Sequence, residues 1–325
     1  MLLVAAGLPL GCARPRATPW HRVPDSVEAP PDIDVASYAI DARLDGAHRV
    51  IDATARIRWR NTSSRPVADL WWHLYMNAFE HDRTLFLRSG AFTRWQTGAP
   101  LDPGGVNVSQ LRLADGTDLL ARTSFPHEDP HDRTEWHTTL PAPVDPGASI
   151  EIAVAFRTTL PGIVARTGRW HDLAFVAQWF PKLAVLERDG TWAHFPYHPY
   201  SEFYADFGTY DVTLRVPEGD VVAASGVEAS APERARGIDR HTFVARHVHD
   251  FAWTAWNRYG ETWRTIDGIA VRSVWAPGLE SVSERALDAL THAAPFFRER
   301  FGAYPYAQLT VVSLPRGARA ASGME

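Results

Sequence analysis

From Tyr38 onward the chain alternates with a period of two. Tyr38, Ile40, Ala42 and Leu44 face one way, with Ser37, Ala39, Asp41 and Arg43 between them. Ile51, Ala53, Ala55, Ile57 and Trp59 then alternate with Asp52, Thr54, Arg56, Arg58 and Arg60. Over that length the pattern means strands with one face in a core and one in water, the signature of half-buried antiparallel sheet. Asn61-Thr62-Ser63-Ser64-Arg65-Pro66 reads as a turn, after which Leu70, Trp72 and Leu74 resume the alternation. Further strands are expected at Ile150 to Phe156, Val212 to Val216, Val221 to Ala224, His241 to His247 and Ile269 to Trp275, separated by loops rich in Pro, Gly and Asp such as Leu101-Asp102-Pro103-Gly104-Gly105. There is no internal repeat. The expected fold is mainly β: a large antiparallel sandwich or saddle over residues 32–264.

The texture changes after about residue 264. Ser281-Val282-Ser283-Glu284 has the spacing of a capping box, and Leu287, Leu290, Ala294, Phe297 and Phe301 follow at helical intervals until Gly302, with Pro305 just beyond. Pro295 inside that run should kink the helix. A strand follows at Leu309 to Leu314, then a turn at Pro315-Arg316-Gly317. Strand, helix and strand after an all-β region mark a second, α/β domain beginning at residue 265.

With 325 residues, 45% of them hydrophobic, the chain has material for more than one core. Its net charge of −5 and scattered arginines give no electrostatic case for nucleic acid as a partner. Lys182 is the one lysine beside 32 arginines. On sequence alone that reads as a base-composition bias, since unclustered arginine points to no particular partner. One cysteine, Cys12, excludes an internal disulfide framework and any CxxC metal site. The apolar run Met1 to Leu10 is too short to span a bilayer, and Gly11 precedes Cys12, so this end looks like a bacterial lipoprotein signal with Cys12 as the lipidated residue. It departs from that signal in having no basic residue before the apolar run and Pro9 where Leu is usual. The protein is expected to be exported, periplasmic or held at a membrane only through that lipid anchor. Five prolines from Pro15 to Pro31 make the rest of residues 1–31 an extended tether.

Ten of the 33 residues from Gln178 to Tyr210 are aromatic, against 11% in the whole chain. Rings at that density suit a wall that is part core and part pocket lining. Gln178, Glu202 and Asp206 sit among them, where burial without partners is costly, so they should be partnered or face a ligand. Gln178-Trp179-Phe180-Pro181, Phe195-Pro196-Tyr197 and Glu202-Phe203-Tyr204-Ala205-Asp206-Phe207-Gly208, running into Tyr210-Asp211-Val212-Thr213-Leu214, resemble the N-terminal domain of bacterial alanyl aminopeptidase-type zinc metallopeptidases (gluzincins). The similarity extends from about Asp32 to the last residue.

Several motifs bear on chemistry. His127-Glu128-Asp129-Pro130-His131 matches HExxH literally, but that motif works only on a helix, and Pro126 and Pro130 forbid one. It should be a chance match in an exposed loop. His194 and His198 are separated by Pro196. His247 and His249 would share one face of a strand, yet with 14 histidines in the chain such pairs are more often structural. There is no nucleophile elbow, P-loop or reactive-cysteine setting. At the other end, Ser322-Gly323-Met324-Glu325 resembles the GxMEN exopeptidase motif of the same family, with Ser322 where Gly is usual and the final Asn not included. The resemblance implies that Glu325 anchors the free ammonium of a peptide substrate, that Ser322, Gly323 and Met324 give strand contacts, and that Gln178 reaches the first side-chain pocket from the β domain. An edge strand that pairs with extended peptide suits such a role, because backbone pairing accepts any sequence. The family's zinc helix, and the glutamate that serves there as general base, would follow Glu325. The resemblance therefore implies the N-terminal portion of a zinc-dependent aminopeptidase. Its β domain would be followed by the truncated start of a thermolysin-like catalytic domain over 265–325, with no zinc bound and no turnover by this chain alone. Two alternatives stay open: a non-catalytic relative used as a scaffold, and a carbohydrate-binding β-sandwich using Trp192.

Overall fold

A computed structural model describes residues 35–89, 102–163, 165–199 and 203–318. The alternation at the start of the chain becomes the strands Ala36–Leu44 and Val50–Arg60, paired antiparallel with Tyr38 opposite Ile57 and Ala42 opposite Ala53. Tyr38, Ile40, Leu44, Ile51, Ile57 and Trp59 are each 3% exposed or less, so the face read from the sequence is the face that is buried. The large sheet runs Val227–Glu228, Ile238–Val248, Gly208–Pro217, Ala36–Leu44, Val50–Arg60, Ser149–Thr159, Gly105–Leu113, with Glu233–Ala235 also paired to Ile238–Val248. One pairing at its centre is parallel, not antiparallel: Ala36–Leu44 lies beside Gly208–Pro217, with Tyr38 level with Tyr210 and their rings stacked at 4.8 Å. The two strands are far apart in sequence, and each alternates in the same way whichever direction its neighbour runs.

A second sheet, Lys182–Leu183, Val67–His73, Glu135–Val144, Thr123–Ser124, shares one core with the first through Leu70, Trp72, Leu140 and Val144. A third, Val221–Ala224, Trp253–Trp256, Leu173–Val176, Gly168–Trp170, adds Val222, Trp253 and Ala255 to that core. Its other side feeds a smaller cluster in which Leu173, Ala223, Trp256 and Tyr259 meet Val274, Ala276 and Leu279. The mainly β architecture with sandwiched sheets is therefore present.

The smaller sheet consists of Gly260–Ile266, Ile269–Trp275 and Gln308–Ser313, the last pair parallel, with the helix Glu280–Phe301 connecting them. Residue 264 lies within the first of these strands. The helix is where it was expected, but it has no capping box: its N-cap is Leu279, with no side-chain cap bond. Ser283 instead turns inward and donates to the Ser273 hydroxyl at 2.7 Å, while the Glu284 carboxylate pairs with Arg264. Ser281, the expected cap, is exposed and lies inside the first turn because the helix begins one residue before it, so its hydroxyl does not serve the helix end. Leu287 is fully buried, but Phe297 and Phe301 are 54% and 79% exposed, because they lie beyond Ala294, the last helix residue in the cluster formed with the three short strands. The helix continues through Pro295, which lacks the amide that would bond Thr291.

Candidate active-site wall around Gln178

Gln178 follows the strand Leu173–Val176 and adopts φ 54°, the left-handed region that a side chain occupies only at some cost. Its neighbours hold it there. The Ala177 amide donates to Thr167 Oγ1 at 3.2 Å, the Trp179 carbonyl accepts from Thr158 Oγ1 at 2.6 Å, and the Trp179 indole donates to the Phe251 carbonyl at 3.0 Å. Trp179 is fully buried and sets the turn against the large core.

Gln178 is itself 6% exposed, and its side-chain amide nitrogen donates to Asp250 Oδ2. Asp250 is 3% exposed. Its other oxygen accepts from the Phe251 amide at 2.7 Å, and Lys182 Nζ lies 2.7 Å from Oδ2. Lys182 also donates to the His249 carbonyl at 3.3 Å and sits 5.5 Å from the Phe180 ring centroid. The expectation that a buried Gln178 must have a partner holds, and its partner is an ion pair. Sequence reasoning missed both members. Asp250 had no signal, whereas Lys182 had one, as the only lysine in an arginine-rich chain.

Next to this pair lies a second unusual group. Lys182 is opposite His73 in the sheet, and the His73 ring stacks on Tyr75 at 4.4 Å with Phe195 beside it. Burial, with the charges of Lys182 and His194 adding to it, pushes the imidazole down to about 3, so His73 is neutral at ordinary pH. Neither its ring nitrogens nor Tyr75 Oη has a partner among the described residues. Tyr75, Tyr197, Phe203 and Phe86 form one ring cluster, with Phe86 and Tyr197 stacked at 4.6 Å, so much of the aromatic stretch is core. Tyr204 and Phe207 are about half exposed. Asp206 lines a cavity no larger than a water molecule, together with Tyr38, Trp59, Lys182 and Tyr210. Burial, then the charge of Glu187, pushes the Asp206 carboxyl up to about 6. Trp192 stacks on Trp59 at 5.6 Å and donates to Asp69, so part of the ring proposed as a sugar platform is already covered.

The other histidine pairs resolve as structural. His127 and His131 lie in a loop: the Asp129 amide donates to His127 Nδ1 at 3.0 Å, and the His131 amide donates to Asp129 Oδ1 at 3.0 Å. His194 is 2.5 Å from Glu135 and stacks on Trp71. His247 and His249 do not share a strand face, because His247 takes φ 54° and the strand ends at Val248. Among the described residues no three His, Cys, Asp or Glu side chains are grouped to hold a metal ion. Ser322, Gly323, Met324 and Glu325, like Glu202 and Cys12, lie outside the described residues.

No protein-family model matches the chain, and no curated protein matches it in sequence. Its fold is similar to that of solved M1 zinc metallopeptidases. The M1 zinc metallopeptidase from Deinococcus radiodurans superposes with a TM-score of 0.56 at 16% identity, over 87% of this chain and 56% of that one. A mutant of that protein bound to a Tyr-Ser-Ala substrate gives 0.53 at 18% identity over the same shares. A two-domain M1 zinc metallopeptidase mutant bound to L-tryptophan gives 0.55 at 16% identity, over 91% of this chain and 60% of that one. The chain spans between 56% and 60% of the length of these neighbours, and at these identities the likeness is one of fold.

Proposed function

We propose that this chain is the N-terminal portion of a zinc-dependent aminopeptidase, in which Gln178 contributes to the pocket that receives the N-terminal residue of a peptide. The observation that carries the reading is the fold shared with M1 zinc metallopeptidases over 87% of the chain, one of them holding a peptide substrate. The run Gln178-Trp179-Phe180-Pro181, whose first residue is fixed by a strained turn and a buried ion pair, supports it. In this reading Glu325 holds the substrate's ammonium, Ser322, Gly323 and Met324 pair with its backbone, and the zinc ligands come from the part of the neighbours' length that has no counterpart here. That part supplies the Lewis acid and the activated water, so the 325-residue chain alone is inactive.

The alanyl type of specificity, export, and lipidation at Cys12 belong to the same proposal. The test is to express the full gene product and assay alanine p-nitroanilide with and without a chelator. Turnover that stops with the chelator and returns with zinc is the expected result. A full-length protein that carries an intact zinc helix yet cleaves only N-blocked peptides would overturn the aminopeptidase reading. Intact mass of the membrane fraction tests the anchor: a mature protein retaining Met1 ends it.

A further inference from the structure

A glutamine amide has two unlike ends, an NH2 that only donates and an oxygen that only accepts. Which end faces a ligand decides what the site selects, and side-chain rotation exchanges the two unless a neighbour forbids it. At Gln178 the neighbour is the Asp250 carboxylate, in an ion pair with Lys182 at 2.7 Å. That carboxylate offers acceptors only, so the NH2 must point at it, as it does. Its second oxygen is taken by the Phe251 amide at 2.7 Å, which fixes the carboxylate's own rotation. No described residue donates to Gln178 Oε1. The backbone is equally constrained, since the Ala177 amide before the turn and the Trp179 carbonyl after it are both hydrogen-bonded.

We propose that Asp250 and Lys182 are positioning residues, which turn the Gln178 amide so that the site presents its carbonyl oxygen and selects ligands bearing a hydrogen-bond donor such as a protonated α-amine. The proposal rests on the reading of Gln178 as ligand-facing, and its first test does not depend on that reading. Replacing Asp250 by Asn keeps the shape, but the Phe251 amide retains the oxygen on its own side, so the new NH2 takes the place of Oδ2. Two donors then face each other and Gln178 must turn over.

In the full-length protein labelled with 15N-glutamine, the Gln178 side-chain signal is assigned by its loss in Gln178→Ala. Its protons are expected to exchange with water at least about tenfold more slowly than those of exposed glutamines. In Asp250→Asn that protection is lost. Binding of L-phenylalaninamide, the probe for a donor-bearing ligand, weakens about tenfold in the same variant, the scale of one hydrogen bond to a charged group. The double variant Gln178→Glu with Asp250→Asn restores a donor facing an acceptor and keeps a carboxylate for Lys182, so it is expected to recover binding to within about threefold. Fast exchange in the wild type, or protection unchanged in Asp250→Asn, overturns the positioning role. A wild-type protein with protected Gln178 protons that binds no L-phenylalaninamide leaves the positioning intact and removes the substrate assignment instead.

Discussion

Lys182 shows how a composition oddity becomes a structural statement at the scale of one side chain. Its side chain is 4% exposed, with the ammonium in a slot bounded by Asp250, the His249 carbonyl and Phe180. A compact ammonium on a flexible stem fits such a slot, whereas a planar guanidinium with five donors would leave some of them unpaired. Lys182→Met keeps most of the volume but leaves the buried carboxylate without its cation, and a stability loss of about 3 kcal/mol is expected in urea denaturation. His48 is a second buried partner, with Nε2 2.7 Å from Asp220. Burial opposes its charged form, but the hydrogen bond and charge of Asp220 outweigh burial and push the imidazole above its ordinary value. The folded state therefore holds a proton that the unfolded chain releases more readily. This contribution is complete below about pH 6.5 and is lost as pH rises through the folded value. The melting temperature should fall between pH 6.5 and 8.5, and Asp220→Asn should flatten that fall. Neither pair was legible in the sequence, because both join residues from distant segments and carry no spacing signal.

Among the elements, periodicity located the first strands and several later ones, missed others such as Gly105–Leu113 and Glu135–Val144, and left their neighbours undetermined. The strand Gly208–Pro217 was expected from Val212 to Val216, but its first residue does a job that only the pairing reveals. A Cβ on Gly208 would lie 2.2 Å from the Ala36 carbonyl oxygen, where the parallel pair begins. Gly208→Ala must open that junction, and a cost of about 2 to 3 kcal/mol is expected in chemical denaturation, with the Tyr38–Tyr210 stack disturbed in near-ultraviolet circular dichroism. The helix Glu280–Phe301 teaches the reverse lesson. Its apolar spacing and its stop at Gly302 were readable, but Ser281, the serine expected as the cap, lies inside the first turn, and Ser283 is the one packed on Ser273. Ser283→Ala should therefore cost about 1 kcal/mol through a lost buried hydrogen bond, with helix content by far-ultraviolet circular dichroism unchanged.

Across the molecule, three β-sheets share one core, and described residues of the stretch from Gln178 to Tyr210 contribute to more than one of them. It starts just after Leu173–Val176 of the third sheet, gives Lys182–Leu183 to the second, and enters the large sheet at Gly208. Asp206 sits near the end of that path. With its carboxyl pushed up to about 6, its protonated form is favoured by the fold, so its contribution is present below the ordinary carboxylate value and is lost as pH rises through about 6. Asp206→Asn should raise the melting temperature at pH 7 relative to the wild type and remove part of the decline between pH 4 and 6.

Read alone, the amino-acid order missed strands such as Gly105–Leu113 and Glu135–Val144, but it located others, the helix, and the buried face of each early strand. Those properties depend on side chains only a few residues apart. It also marked Gln178 and the aromatic stretch, and it ruled out HExxH, because proline acts on its own backbone. It took the folded arrangement to show that the large sheet has a parallel pair at its centre, that Asp250 and Lys182 hold Gln178, and that Ser283 faces inward. Each of these is a contact between segments far apart in the chain, set by which arrangement buries the most apolar surface while leaving every enclosed charge with a partner.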